Sequence, residues 1–192
     1  MLNRNIVEGR FVWADRFEAD LGLSFNAFQS FMFGSGRFAE VLVGRCDLRD
    51  LVAEWLTTQE GAPTADAFLA YWFEKDAHPC AEVGGLLDRV TCRSVIATNN
   101  EARRAAYIMD DMGYRGRVER IFAAGPMGVA KPDGGFFEVI ETWSGLPARR
   151  ILLVDDLLRN VDAARKRGWQ AFYLHPNARG DLEKLLSRSG LL

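Results

Sequence analysis

Two histidines and three cysteines in 192 residues leave little material for zinc, haem or disulfide chemistry. Cys46, Cys80 and Cys92 are odd in number and follow no metal-ligand or redox spacing, so they read as small buried hydrophobes with reduced thiols. His78 precedes Pro79 and His175 precedes Pro176, positions that read as turns rather than ligand sites. An excess of one charge is missing too. Lys and Arg number 24 against 26 Asp and Glu, which excludes a basic face for nucleic acid or for an anionic membrane. No apolar run approaches the ~20 residues of a membrane span. Residues 1–5 lack the apolar stretch of a secretory signal, so a cytoplasmic protein, monomeric or homodimeric, is expected. Repeats, low-complexity tracts and charge blocks are also absent. What is present is enough chain for one domain with an insert, or for two small domains.

The chain divides in character near residue 90. Before it, apolar residues recur at helical spacing: Phe11, Ala14, Phe17 and Leu21, then Leu48, Leu51, Val52, Trp55 and Leu56, then Phe68, Tyr71 and Trp72. Ser24, Asp47 and Thr64 stand where N-caps belong, and Gly22, Gly34, Gly44 and Gly61 punctuate the segments. The spacing predicts a small helical bundle over 1–90, its many aromatic residues forming core rather than a ligand cage. Within Phe31-Met32-Phe33, one side chain is expected to face the other half, since clefts between domains favour ligands. Over 91–192, short apolar runs alternate with amphipathic stretches. Strands are expected at 94–97, 120–124, 149–154 and 170–174, and helices at 101–112, 133–143, 157–167 and 181–188. Strands separated by helices of this length specify right-handed crossovers, hence an α/β, doubly wound, Rossmann-like parallel sheet.

The chemistry gathers at strand ends. Ile151-Leu152-Leu153-Val154 runs straight into Asp155-Asp156, with Asn160 following. Open α/β sheets place ligands at the C-terminal edge of their strands, and two adjacent carboxylates there repel each other unless a cation compensates. Mg2+ suits such a pair, because it takes one or two carboxylates and completes its shell with water or phosphate oxygens. The plainer reading is that Asp155 or Asp156 caps the helix that follows. Thr98, with Asn99 and Asn100, closes the first strand ahead of a helix; a hydroxyl and backbone N–H groups there can seat a phosphate, and Thr98 or Asn100 can equally cap the helix. Lys131 lies in Gly128-Val129-Ala130-Lys131-Pro132, on a loop that Pro132 turns into a helix.

Strand-Thr98-Asn99, then Gly128-Val129-Ala130-Lys131-Pro132 with Phe136-Phe137, then Leu152-Leu153-Val154-Asp155-Asp156 with Asn160, Ala163-Ala164 and Gly168, resembles motifs two, three and four of the haloacid dehalogenase superfamily. The helical half is similar to the cap of the subfamily that inserts a helical bundle between its first and second motifs. Most members are Mg2+-dependent phosphohydrolases. The resemblance implies that Thr98, Asn99 and Lys131 bind the phosphoryl group, with Thr98 and Lys131 catalytic. It implies that Asp156 is the more direct Mg2+ ligand with Asp155 beside it, that Asn160 is supporting, and that the substrate is a small phosphorylated metabolite. A 2-haloacid dehalogenase, which needs no metal, and a non-catalytic binding module are the alternatives.

One piece of the pattern is missing. The family's first motif is an apolar strand ending in Asp-x-Asp-Gly, whose first Asp is the nucleophile; here Met1-Leu2 would fit only the positions just after its glycine. Asp15 and Asp20 fall within a helical pattern and cannot take that role. The sheet is therefore expected to lack its first, central strand, and the chain as given to be inactive.

Overall fold

The computed structural model describes residues 2–7, 9–175 and 179–192, with Val7 and Arg179 as backbone only. Met1 and Pro176 lie outside the described residues. A short antiparallel hairpin, β1 (Ile6–Val7) and β2 (Arg10–Phe11), leads through a 3-10 turn at Val12–Arg16 into α1 (Phe17–Leu21). Helices α2 (Phe25–Gly34), α3 (Arg37–Leu42), α4 (Leu48–Leu56) and α5 (Ala65–Asp76) follow. Ser24, Asp47 and Thr64 cap three of them, accepting from the N–H groups of Ala27, Arg49 and Ala67.

The aromatic residues of this half are core. Phe28 is fully buried, with the rings of Trp13, Phe17, Trp55, Phe68 and Trp72 between 5.0 and 5.8 Å from its own. Met32 is buried in the same core, and Phe33, partly exposed, packs its ring on Phe11, Phe28 and Phe38. The ring contacts of Phe33 therefore stay inside the helical half.

The helical core ends earlier than residue 90. Helix α6 (Ala81–Leu87) buries Val83 and Leu86 with Leu174, Leu182 and Leu186 of the C-terminal half, so it belongs to the sheet. The cysteines also differ from expectation: Cys80 is buried in this cluster, whereas Cys46 and Cys92 are exposed.

The second half alternates β3 (Val95–Thr98), α7 (Ala102–Asp110), β4 (Arg120–Ala123), the short α8 (Ala124–Met127), α9 (Gly134–Ser144), β5 (Leu152–Asp155), α10 (Leu158–Lys166), β6 (Gln170–Tyr173) and α11 (Arg179–Arg188). Its strands form two separate parallel pairs, β3 with β4 and β5 with β6. On one face a single cluster spans both pairs: Val95, Ala97 and Phe122 from the first, Leu153 and Ala171 from the second, all under Phe136, Phe137 and Ile140 of α9. On the other face the core is split. Ile96 and Ile121 pack with Tyr114 and Val118, while Leu152, Val154 and Phe172 pack with α6 and α11; among the described residues Leu2 alone packs against both.

The helical unit docks where the chain leaves β3 and β4. Gly44 adopts φ +72°, and a Cβ there would strike the carbonyl oxygen of Gly125 in α8; a Cβ on Gly125 would in turn press on Glu101 Cα at 2.8 Å. The Asp47 carboxylate accepts from Arg103 Nε at 3.0 Å across the same junction. Gly44→Ala should cost about 2–3 kcal/mol, strain plus clash. Gly61→Ala, at φ +69° with nothing within 4 Å, should cost only about 1 kcal/mol. Urea denaturation of the two variants reads the difference, and equal losses would mean that the contact of Gly44 with Gly125 is slack.

Candidate active site at the C-terminal edge

Thr98 ends β3 and Asp155 ends β5, and Lys131 lies between them on the loop before α9. The loop is pinned by Asn99, whose side-chain Oδ1 accepts from Lys131 N–H at 2.8 Å while its Nδ2 donates to the Lys131 carbonyl at 2.7 Å. An amide is the side chain that can do both at once. The Lys131–Pro132 peptide bond is cis. Held by Asn99, the lysine side chain turns inward, 8% exposed. Its Nζ donates to the Ala97 carbonyl at 2.7 Å and to Asp155 Oδ2 at 2.6 Å.

Asp155 is 4% exposed and fully engaged. Asn160 Nδ2 donates to both of its oxygens, at 3.1 and 3.2 Å, and Leu157 N–H donates to Oδ1 at 2.8 Å. Its role is thus double: it neutralises Lys131 and, by accepting from Leu157 N–H, fixes the turn that leads into α10. Asp156 beside it is exposed. Hard carboxylate oxygen is the donor type Mg2+ takes, and Asp156 can offer it, but the four contacts on Asp155 fill its lone-pair positions. No group of three His, Cys, Asp or Glu side chains that could hold a metal occurs among the described residues. Asp156 is thus the carboxylate at this edge whose chemistry suits Mg2+, without a second and third such group beside it among the described residues.

The half-buried Thr98 accepts from Asn100 Nδ2 at 2.6 Å, which leaves its hydroxyl proton free to donate. Neither Thr98 nor Asn100 caps α7; Glu101 does, its carboxylate accepting from the N–H groups of Arg103 and Arg104. Burial pushes the Glu101 carboxyl above the usual carboxylate range, against the opposing pull of those two N–H groups. A phosphate at this edge would meet the loop of Thr98 and Asn99, since the first turn of α7 is already occupied. Thr98, Asn99, Lys131, Asp155, Asp156 and Asn160 all stand at this one edge, Asn160 as the group that orients Asp155. The two-ended grip of Asn99 on Lys131 was not legible beforehand, because nothing local in the sequence links a strand end to a loop thirty-odd residues away.

No protein-family model and no curated protein matches the sequence. Solved structures do resemble the fold. A predicted HAD-like family hydrolase from Porphyromonas gingivalis superposes with a TM-score of 0.73 at 18% identity, over 91% of this chain and 89% of its own. A HAD family enzyme from Bacteroides thetaiotaomicron, solved in complex with magnesium and inorganic phosphate, gives 0.74 at 14% identity, over 92% and 90%. L-2-haloacid dehalogenase from Xanthobacter autotrophicus gives 0.60 at 18% identity, over 84% and 70%. At such identities the likeness is one of architecture: the chain has the fold of the haloacid dehalogenase-like hydrolases, a Rossmann-like α/β core with a helical cap.

Proposed function

We propose that this edge binds the phosphoryl group of a small phosphorylated metabolite, as the binding half of a Mg2+-dependent phosphohydrolase site. The observation that carries the reading is the immobilised Lys131 ammonium, gripped by Asn99 through its backbone and by Asp155 through its side chain, beside the Thr98 hydroxyl. Phosphoryl transfer depends mostly on positioning and charge neutralisation, and these groups are built for both. Thr98 donates to a phosphoryl oxygen, and the third N–H of Lys131 donates to another. Asp156 would hold Mg2+, which supplies further neutralisation of phosphate charge when bound. Covalent hydrolysis also needs an aligned nucleophile. Asp155 is engaged with Lys131, while Asp15 and Asp20 pair with Arg10 and Arg16 within the helical unit. None of these three stands open for attack, so turnover through any of them should be negligible.

Titration with inorganic phosphate in Mg2+, followed by calorimetry, tests the binding half directly. Affinity should fall about 10-fold or more in Lys131→Met, the loss of one charge-assisted hydrogen bond to phosphate. Asp156→Ala should remove the Mg2+ dependence. Equal phosphate affinity in the wild type and Lys131→Met would defeat the proposal, and metal-free halide release from a 2-chloro acid would favour dehalogenation instead.

A further inference from the structure

The opposite edge of the sheet holds a cavity of its own. Where the chain turns into β3 and into β4, segments 87–94 and 116–119 line a volume of about 420 Å3, within the range of small-molecule sites. Two guanidinium groups stand in its wall, each held from three sides. Arg117 donates to both oxygens of Asp88, at 2.7 and 2.9 Å, and to the Gly84 carbonyl at 3.0 Å, with its guanidinium 5.0 Å from the ring of Tyr114. Arg93 donates to both oxygens of Glu119, at 3.0 and 3.1 Å, and to the Ser144 carbonyl at 3.3 Å, 4.5 Å from the ring of Trp143. Exposed ion pairs add little to stability, but side chains fixed in advance lose little freedom when a ligand arrives. Both Nη1 N–H groups of Arg117, and one N–H on each Nη of Arg93, have no acceptor among the described residues. Each carboxylate also keeps lone pairs to spare.

The cavity thus offers two cations and two anions, with Leu87, Val90 and Val118 as its apolar lining. A lone anion or a lone cation would meet repulsion as well as attraction there, whereas a molecule carrying both charges can face each with its opposite. We propose that this cavity binds a small zwitterion of the α-amino-acid type with an aliphatic side chain. The ligand carboxylate accepts from the free N–H groups of Arg117 and Arg93, since guanidinium suits a carboxylate better than any other side-chain cation does. The ligand ammonium donates to Asp88 and Glu119, and the aliphatic side chain lies on Leu87 and Val90. Both ion pairs stay intact, because the ligand uses only N–H groups that they leave over. Strand β3 separates this edge from Thr98 by roughly 13 Å at the usual rise per residue. The inference therefore stands independently of phosphate binding.

The test is calorimetric titration of the 192-residue chain with leucine, which should bind with a Kd of about 1 mM or tighter. Two analogues each lack one charge: 4-methylpentanoate has no ammonium and 3-methylbutylamine no carboxylate. Each should bind about 10-fold or more weakly than leucine, having lost one set of charge-assisted hydrogen bonds. In Asp88→Asn leucine should lose most of its advantage over 4-methylpentanoate, and in Arg117→Gln most of its advantage over 3-methylbutylamine. Inorganic phosphate at about 10 mM should not displace leucine, because it carries no cation for Asp88 and Glu119. Four results would each overturn the proposal: no binding of leucine up to about 10 mM, 4-methylpentanoate binding as tightly as leucine, displacement of leucine by phosphate, or unchanged leucine affinity in both variants. The three-ligand comparison needs only the wild type, so it decides the matter even if a variant fails to fold.

Discussion

Asp155→Ala should destabilise the chain by about 3–5 kcal/mol, whereas Lys131→Met should cost only about 1–3 kcal/mol. The asymmetry comes from what each change leaves behind. Without Asp155, a buried ammonium keeps only the Ala97 carbonyl, and Asn160 and Leu157 lose their acceptor as well. Without Lys131, the carboxylate still accepts from Asn160 and from Leu157 N–H, so its charge stays solvated by dipoles. In the double variant both charges are gone, and its cost should fall short of the summed single costs by about 2 kcal/mol or more. Urea denaturation of the four proteins measures this directly. Strict additivity would mean that the pair is not coupled and that Asp155 has some role other than holding Lys131.

Arg104→Ala should be comparably damaging, about 3–5 kcal/mol near neutral pH. Arg104 is 8% exposed, lies 4.0 Å from the ring of Phe73, donates to the Phe73 carbonyl and pairs with Asp76 at 3.1 Å. It thereby ties α7 of the sheet to the end of α5 in the cap. Burial holds the Asp76 carboxyl above the usual carboxylate range even with Arg104 and Asn5 pulling it down. Removing the arginine removes the largest of those opposing pulls, and the folded-state pKa climbs further. An acid whose folded pKa exceeds its unfolded value binds its proton preferentially in the native state, so its contribution improves as pH falls through the folded pKa toward the unfolded one. The deficit of Arg104→Ala relative to the wild type should therefore narrow between pH 7 and about pH 5. A deficit that stays constant or widens on acidification would show that lost packing against Phe73, Trp72 and Tyr107, rather than a stranded carboxylate, dominates.

The sequence made the four strands and their crossovers legible because each is an apolar run followed by an amphipathic helix. The caps at Ser24, Asp47 and Thr64 were legible because capping is local. Contacts between distant segments were not. Only packing tells that Val83 and Leu86 of α6 meet α11 rather than the helical unit before them. The N-cap of α7 fell to Glu101 rather than Thr98 or Asn100, since its carboxylate accepts from the N–H groups two and three residues ahead while the Asn100 amide donates to Thr98. Among site residues, Thr98, Lys131 and the Asp155-Asp156 pair could be chosen from strand ends. The engagement of Asp155 by Lys131, Asn160 and Leu157 could not, because it depends on Lys131 reaching across from another loop. The hairpin of β1 and β2 is too short to produce any alternation that a sequence pattern could show.

The two parallel ladders have a kinetic consequence. Each joins strands that follow one another in the chain with a single crossover for β5 and β6, and a single helical connection for β3 and β4. Every parallel ladder among the described residues is therefore short in sequence separation, and closing it costs little loop entropy. Each pair can form as its own cooperative unit, and the encounter between them falls to α9, whose Phe136, Phe137 and Ile140 reach both. What joins the two halves of this core on that face is then the burial of one helix, rather than a ladder of strand hydrogen bonds.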